Sequence, residues 1–379
     1  MSRAPDVVIV GGGIMGAACA WHLARAGRGV RLIERGEERG PPGGGGGGGG
    51  GGEAWRASAG MLAPQIGVDS EDPLFELGIA GREFYRENAE PLRESTGIDI
   101  GFRESGILEA ATTESEVEVL KARVAGQRQH GHQCEWLDAD EVRREWPWLG
   151  ATLGGQHATH DGSVDPVRLV EALRADAARL GTEVISDRVA SLSRSNGRVT
   201  GVQGREWHPA NHVVLAAGAW TGRIGNLPRP ISVEPVRGQL VAFPWPSGAR
   251  PAIVFGYGGY LLPRGEEGIA GSTMEHAGFS AEVTESGIDS IRQRVEALVP
   301  ALKGVHLLRA WAGLRPGTPD GRPIVGREPE LEGLWYATGH GRSGVLLAGI
   351  TGRIILDLLA GEPTFEEVES LRPERFWSW

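Results

Sequence analysis

Residues 6–16, Asp6-Val7-Val8-Ile9-Val10-Gly11-Gly12-Gly13-Ile14-Met15-Gly16, decide how the rest of the chain is read. The first five form an apolar, β-branched run of the length of one buried strand. Gly11, Gly13 and Gly16 then fit G-x-G-x-x-G. From Ile14 onward, Ile14, Ala17, Trp21 and Ala24 recur at the three- and four-residue spacing of a helix face. Gly27 and Gly29 end that helix, and residues 30–33 make a second apolar run that closes on Glu34. Strand, glycine turn, helix, strand and acid in this order describe a βαβ unit that binds a dinucleotide. Gly11 permits the tight turn, Gly13 lets backbone approach a pyrophosphate, and Gly16 lets the helix pack closely on the sheet. The helix start offers unpaired N–H groups and a positive dipole end to the phosphates, and Glu34 can accept from the ribose hydroxyls. This unit alone does not separate FAD from NAD.

The composition sets the outer bounds. A chain of 379 residues, 40% hydrophobic and 23% charged, is long enough for two domains with a sizeable core. A net charge of −10 offers no basic footprint for nucleic acid or an anionic membrane surface. Lys121 and Lys303 are the only lysines among 39 basic residues, so a single arginine carries weight only inside a motif. Cys19 and Cys134 form neither a C-x-x-C pair nor a zinc set; two reduced thiols and no metal are expected. No apolar run approaches the ~18 residues of a membrane span. The first strand is reached by residue 6, which leaves no room for a secretory signal, so a cytoplasmic location is expected.

Ten consecutive glycines from Gly43 make residues 41–52 a glycine-rich mobile loop, read as a tolerated insertion. Beyond it, helices are expected over 73–95, 114–131 and 138–145. Asp165-Pro166 has the cap-plus-proline signature of another, running to Leu180. Residues 98–111 suggest a hairpin with Gly106 in its turn. Residues 212–216 read as a buried strand, and 236–243, 252–255, 259–263 and 268–272 as a meander. Residues 333–360 return to strand, glycine turn and long helix. The expected architecture is α/β, with a discontinuous nucleotide-binding domain over 1–78, 150–228 and 312–379. A second, β-rich α+β domain takes 79–149 and 229–311.

Several blocks resemble one family. They include Val233-Glu234-Pro235-Val236-Arg237-Gly238-Gln239-Leu240, Tyr260-Leu261-Leu262-Pro263-Arg264 and Gly271-Ser272-Thr273-Met274. Trp311-Ala312-Gly313-Leu314-Arg315-Pro316-Gly317-Thr318 is the most specific, and Ala337-Thr338-Gly339-His340 completes the set. Together with the N-terminal motif they resemble the D-amino-acid oxidase superfamily of flavoproteins, within it most closely the glycine oxidase branch associated with thiamine biosynthesis.

The resemblance implies FAD in a Rossmann-like domain. Its contacts would come from Gly11, Gly13, Ile14, Met15 and Gly16, from Glu34-Arg35 at the ribose, and from Ala59-Gly60-Met61 near the flavin. Val189 would meet the adenine through its backbone. His340, Gly341, Arg342, Ser343, Gly344, Val345 and Leu346, at the start of the C-terminal helix, would meet the flavin's pyrimidine edge. Ala54 and Trp55 stand where the family commonly has small hydroxyl residues. Residues 310–312 lack the cysteine that binds flavin covalently in some branches, so FAD is expected to be non-covalent.

For the substrate, Arg315 matches the arginine that holds an amino acid carboxylate and Tyr260 the tyrosine that hydrogen-bonds it. Arg342 matches a second arginine, and Met274 a pocket-wall residue. Gly258 stands where some members carry a histidine. The activity implied is FAD-dependent oxidative deamination of glycine, sarcosine or D-alanine, with O2 reduced to H2O2. A thiazole-synthesis partner and a homo-oligomer are expected alongside. A D-amino-acid or N-methyl-amino-acid dehydrogenase and a non-catalytic FAD-binding protein are the alternatives.

Overall fold

The computed structural model describes residues 5–36 and 52–377. The expected mobile loop at 41–52 therefore lies, apart from Gly52, outside the described residues. Two large sheets organise the chain. The first has six strands in the order Ile324–Arg327, Leu334–Thr338, His212–Leu215, Val7–Val10, Val30–Glu34, Glu183–Ser186. All neighbours are parallel except the first pair.

Val7–Val10 is central and buried on both faces, which is why it reads as a continuous apolar run rather than an alternating one. Val7 and Ile9 face the helices Ile14–Arg25, Pro73–Thr96, Pro166–Arg179 and Gly344–Ala360. Val8 and Val10 face the opposite layer, a three-stranded sheet of Ser191–Ser195, Arg198–Gln203 and Trp207–Pro209. Trp21 ties two of the helices together, its Nε1 donating to the buried Asp176 carboxylate at 2.8 Å.

The second sheet has eight strands, ordered Arg309–Gly317, Glu234–Pro244, Glu267–Gly271, Gly259–Arg264, Ile253–Gly256, Ile107–Ala111, Gly154–Ala158, Glu135–Asp138. Of the meander expected over 236–272, Ile253–Gly256, Gly259–Arg264 and Glu267–Gly271 do follow one another as antiparallel neighbours, but Glu234–Pro244 pairs with Glu267–Gly271, Val241 opposite Ala270, and not with Ile253–Gly256. The helix Glu285–Leu298 covers one face through Ile291, Val295 and Leu298.

Two expectations need correction. Residues 98–111 form no hairpin: only Ile107–Ala111 is a strand, and its partners are Gly154–Ala158 and, in parallel, Ile253–Gly256. Gly106 instead donates its N–H to Asp161 at 2.9 Å. The partner strands are non-local, and no pattern within 98–111 could announce them. Gly154–Ala158, grouped in the sequence with the nucleotide-binding segment 150–228, likewise pairs in the eight-stranded sheet.

Candidate active site

One cavity of about 2070 Å³ is lined from both sheets. On the first sheet it is bordered by Val10, Ile33, Glu34, Ala216 and Thr338. These lie at or just past the carboxyl ends of the strands, where open α/β sheets bind ligands.

The expected cofactor residues divide into three groups around it. Gly11, Gly13, Ile14, Met15, Glu34 and Arg35 line it from the first sheet and its glycine turn. Gly16 does not line the cavity. A Cβ on it would sit 1.8 Å from the Gly11 carbonyl oxygen, so its role is close packing. Glu34 accepts from the N–H of Gly12 at 2.6 Å and from that of Arg35 at 3.0 Å, which orients its carboxylate at the strand end. Arg35 donates to Glu53 at 2.7 Å and lies 4.2 Å over the Trp220 ring. Val189 lines the wall near Asp187 and Arg188.

Ala59, Gly60 and Met61 line it as well, and Ser58 Oγ accepts from the N–H of Gly60 at 3.2 Å. Trp55 packs close to Gly13: a Cβ there would be 3.3 Å from its Cδ1. The stretch from His340 to Leu346 also lines the cavity and adjoins the first group, since a Cβ on Gly344 would lie 3.7 Å from Met15 Cε.

The residues present fit FAD on two observations. First, the helices Pro73–Thr96, Glu114–Gln129, Ala139–Glu145, Pro166–Arg179 and Glu285–Leu298 are each capped by an Asp or Thr side chain. Ile14–Arg25 and Gly344–Ala360, whose starts open on the cavity, have no side-chain cap. Their first-turn N–H groups are left for a ligand, with the positive dipole ends behind them. Second, His340 is buried at the cavity wall. Its Nε2 pairs with Thr351 Oγ1 at 2.9 Å, while its Nδ1 has no hydrogen-bond partner. Burial depresses this imidazole to about 3, so it is neutral and one nitrogen awaits a partner.

The expected substrate residues gather on the second sheet. Arg315, on Arg309–Gly317, donates to the Thr273 carbonyl at 3.0 Å and to Ser272 Oγ at 2.9 Å. Gly238 on the neighbouring strand makes room: a Cβ there would lie 2.0 Å from Arg315 Nη1. Tyr260 is buried beside it and is hydrogen-bonded to Ser272. Burial pushes the phenol up to about 12 despite the pull of the Arg315 charge, so it stays protonated and can donate. Burial also lowers the Arg315 guanidinium from its usual range. Tyr260 opposes that shift and Arg342 adds to it, and all three groups line the cavity. Arg342 is exposed, and Met274, 61% exposed, stands at the cavity's rim rather than deep in its wall.

Two residues near the site carry no sequence signal of their own. Arg174, one arginine among many, donates to the Gly12 carbonyl behind the glycine turn. Ser272 lines the cavity, and its place beside Tyr260 and Arg315 depends on strand pairing.

A dinucleotide trough at the strand ends, joined to a buried arginine–tyrosine pair on a second sheet, defines a flavin-dependent oxidoreductase. Residues 6–358 match the DAO family of FAD dependent oxidoreductases, and the chain belongs to that family. It is similar to a glycine oxidase of Geobacillus kaustophilus, with 35% identity over 375 residues covering 96% of this chain and 95% of that protein. The crystal structure of glycine oxidase from Geobacillus kaustophilus matches with a TM-score of 0.90 at 32% identity, over 99% of each chain. A bifunctional ThiO/ThiG protein of Synechocystis is 33% identical over 99% of this chain, which spans 55% of that longer protein.

Proposed function

We propose that this enzyme oxidises the carbon–nitrogen bond of glycine or another small amino acid or secondary amine, such as sarcosine or D-alanine. The observation that carries the reading is the Arg315–Ser272–Tyr260 cluster at the end of the FAD cavity. A guanidinium fork held from behind by Thr273 and Ser272 keeps N–H groups for a carboxylate. The protonated Tyr260 phenol donates to the same group. Arg342 adds positive charge at that end of the cavity and favours an anionic substrate. The apolar layer of Leu240, Ile253, Leu262 and Ile269 under Tyr260 keeps the arginine–tyrosine pair in a low-dielectric setting, where charge–charge recognition strengthens. Non-covalently bound FAD supplies the two-electron acceptor.

Substrate loses two electrons and two protons to give an imine, which water converts to the 2-oxo acid and ammonia, or methylamine where the substrate is sarcosine. O2 takes the electrons on to H2O2. The similarity to a ThiO/ThiG protein supports a role in thiamine thiazole synthesis, with a thiazole-forming partner, in the cytoplasm. We extend the reading to a homo-oligomer, which light scattering on the purified protein tests.

The deciding experiment mixes purified, FAD-loaded protein anaerobically with glycine, sarcosine, and D- and L-alanine, and then admits air. Bleaching of the flavin by glycine or sarcosine, with recovery and peroxide on aeration, is expected. Bleaching without recovery would make it a dehydrogenase with another acceptor. A flavin that no amine bleaches would overturn the reading.

A further inference from the structure

Arg294 is a third cation beside Arg315 and Arg342 on the cavity wall, and nothing in the reaction above uses it. It projects from the helix Glu285–Leu298 to the cavity wall. Its Nη1 donates to the carbonyls of Gly258 at 2.8 Å and Ser272 at 3.3 Å. Its Nε donates to the Ser290 carbonyl at 2.9 Å, and its Nη2 to Ser290 Oγ at 3.3 Å. All four acceptors are neutral, and among the described residues no carboxylate lies at ion-pair distance from it. Arg35 and Arg123, elsewhere on the same wall, are paired at 2.7 Å with Glu53 and Glu109. Glu275, an acid that also lines the cavity, is bound by Arg237 and Gln239.

Two further facts aim this charge at substrate. Arg315 holds the hydroxyl of Ser272 and Arg294 its carbonyl, so the two guanidiniums flank a single residue. Gly258 leaves the arginine stem uncovered: a Cβ there would lie 3.6 Å from Arg294 Cδ, and any larger ring would lie across it. A half-buried guanidinium with no counter-charge, facing a pocket that already holds one carboxylate-binding arginine, recognises a second carboxylate.

We infer that Arg294 binds a distal carboxylate of the substrate, so that the preferred class is a small amino dicarboxylate. One carboxylate sits on Arg315 and Tyr260, and the other, on the nitrogen substituent or the side chain, sits on Arg294. The inference rests on the proposed amino acid oxidation for the reaction itself, while the binding it claims is separately measurable.

The test uses the FAD-loaded full chain, wild type and Arg294→Gln. Anaerobic flavin reduction is compared for glycine, iminodiacetate and D-aspartate. Binding of malonate against acetate is read from the shift of the visible flavin spectrum, with no turnover. The wild type should be reduced faster by one of the diacids than by glycine, and should bind malonate more tightly than acetate. Arg294→Gln should lower both the diacid-to-glycine and the malonate-to-acetate ratios by about tenfold or more. Arg294→Lys should restore part of each. Ratios that do not move, or a wild type that binds malonate no better than acetate, overturn the inference. Failure of every amine to reduce the flavin, with malonate still preferred through Arg294, would instead overturn the oxidation reading and leave the subsite standing.

Discussion

Arg174 Nε donates to the carbonyl oxygen of Gly12 at 2.7 Å, although the two residues are 162 positions apart. The helix Pro166–Arg179 brings the guanidinium over the glycine turn, where its Nη2 also lies 3.4 Å from the Glu34 carboxylate. One side chain thus braces both the turn that would carry the pyrophosphate and the acid that would carry the ribose. Arg174→Met should weaken FAD binding by about 1.5–3 kcal/mol, the range for a hydrogen bond made by a charged group. The check is the dissociation constant of FAD from its fluorescence on titration. An unaltered constant would reduce Arg174 to a packing role.

Arg315→Ala should raise the KM for glycine while the protein keeps its FAD. Removing one partner of a charge-assisted carboxylate contact costs about 2–5 kcal/mol, so the effect should be large. Loss of flavin on purification would instead give Arg315 a role in cofactor binding.

Gly16→Ala should abolish FAD loading or stable folding. The added Cβ would fall 1.8 Å from the Gly11 backbone oxygen, and neither backbone can yield without disturbing the turn. A soluble, yellow Gly16→Ala protein of wild-type melting temperature would refute this.

Stability should fall as the solution is acidified from neutrality towards pH 4. Burial holds His22 at about 4, with Arg353 and Arg25 adding to the depression against a backbone hydrogen bond to Gly349. It holds His340 at about 3. In the unfolded chain each would take up its proton near 6.5, so between these values the unfolded state binds more protons and is favoured by acid. Each histidine contributes a slope of up to about 1.4 kcal/mol per pH unit in that window. Denaturant unfolding across this range should show the slope, and His22→Gln should flatten it. Parallel profiles for wild type and variant would sink the assignment.

The fold was legible where physical requirements are local. A buried parallel strand must be a continuous apolar run, a pyrophosphate turn must be glycine, and a helix start that meets no ligand needs a side-chain cap. The segments 6–34, 165–180 and 333–360 met those demands in the sequence itself. The expectation for 98–111 went astray because a strand's edge carries no mark of its partner, and the partners lie roughly fifty and one hundred and fifty residues away.

The site divides in the same way. Arg315 and Tyr260 could be named because their flanking motifs are contiguous and resemble a known family. Burial, and the hydrogen bond from Arg315 to Ser272 beside Tyr260, arise only when Arg309–Gly317 and Gly259–Arg264 come to flank the strands between them. Arg174 and Arg294 had no local pattern to single them out from the other arginines. What distinguishes them is a neighbour distant in sequence: the carbonyl of Gly12 for one, and the bare backbone of Gly258 for the other. The sequence alone determined the chemical groups available and the local conformations they prefer. Which of those groups share a cavity, and which charge is left without a counter-charge, was decided by tertiary structure, because electrostatic and packing energies depend on distance in space.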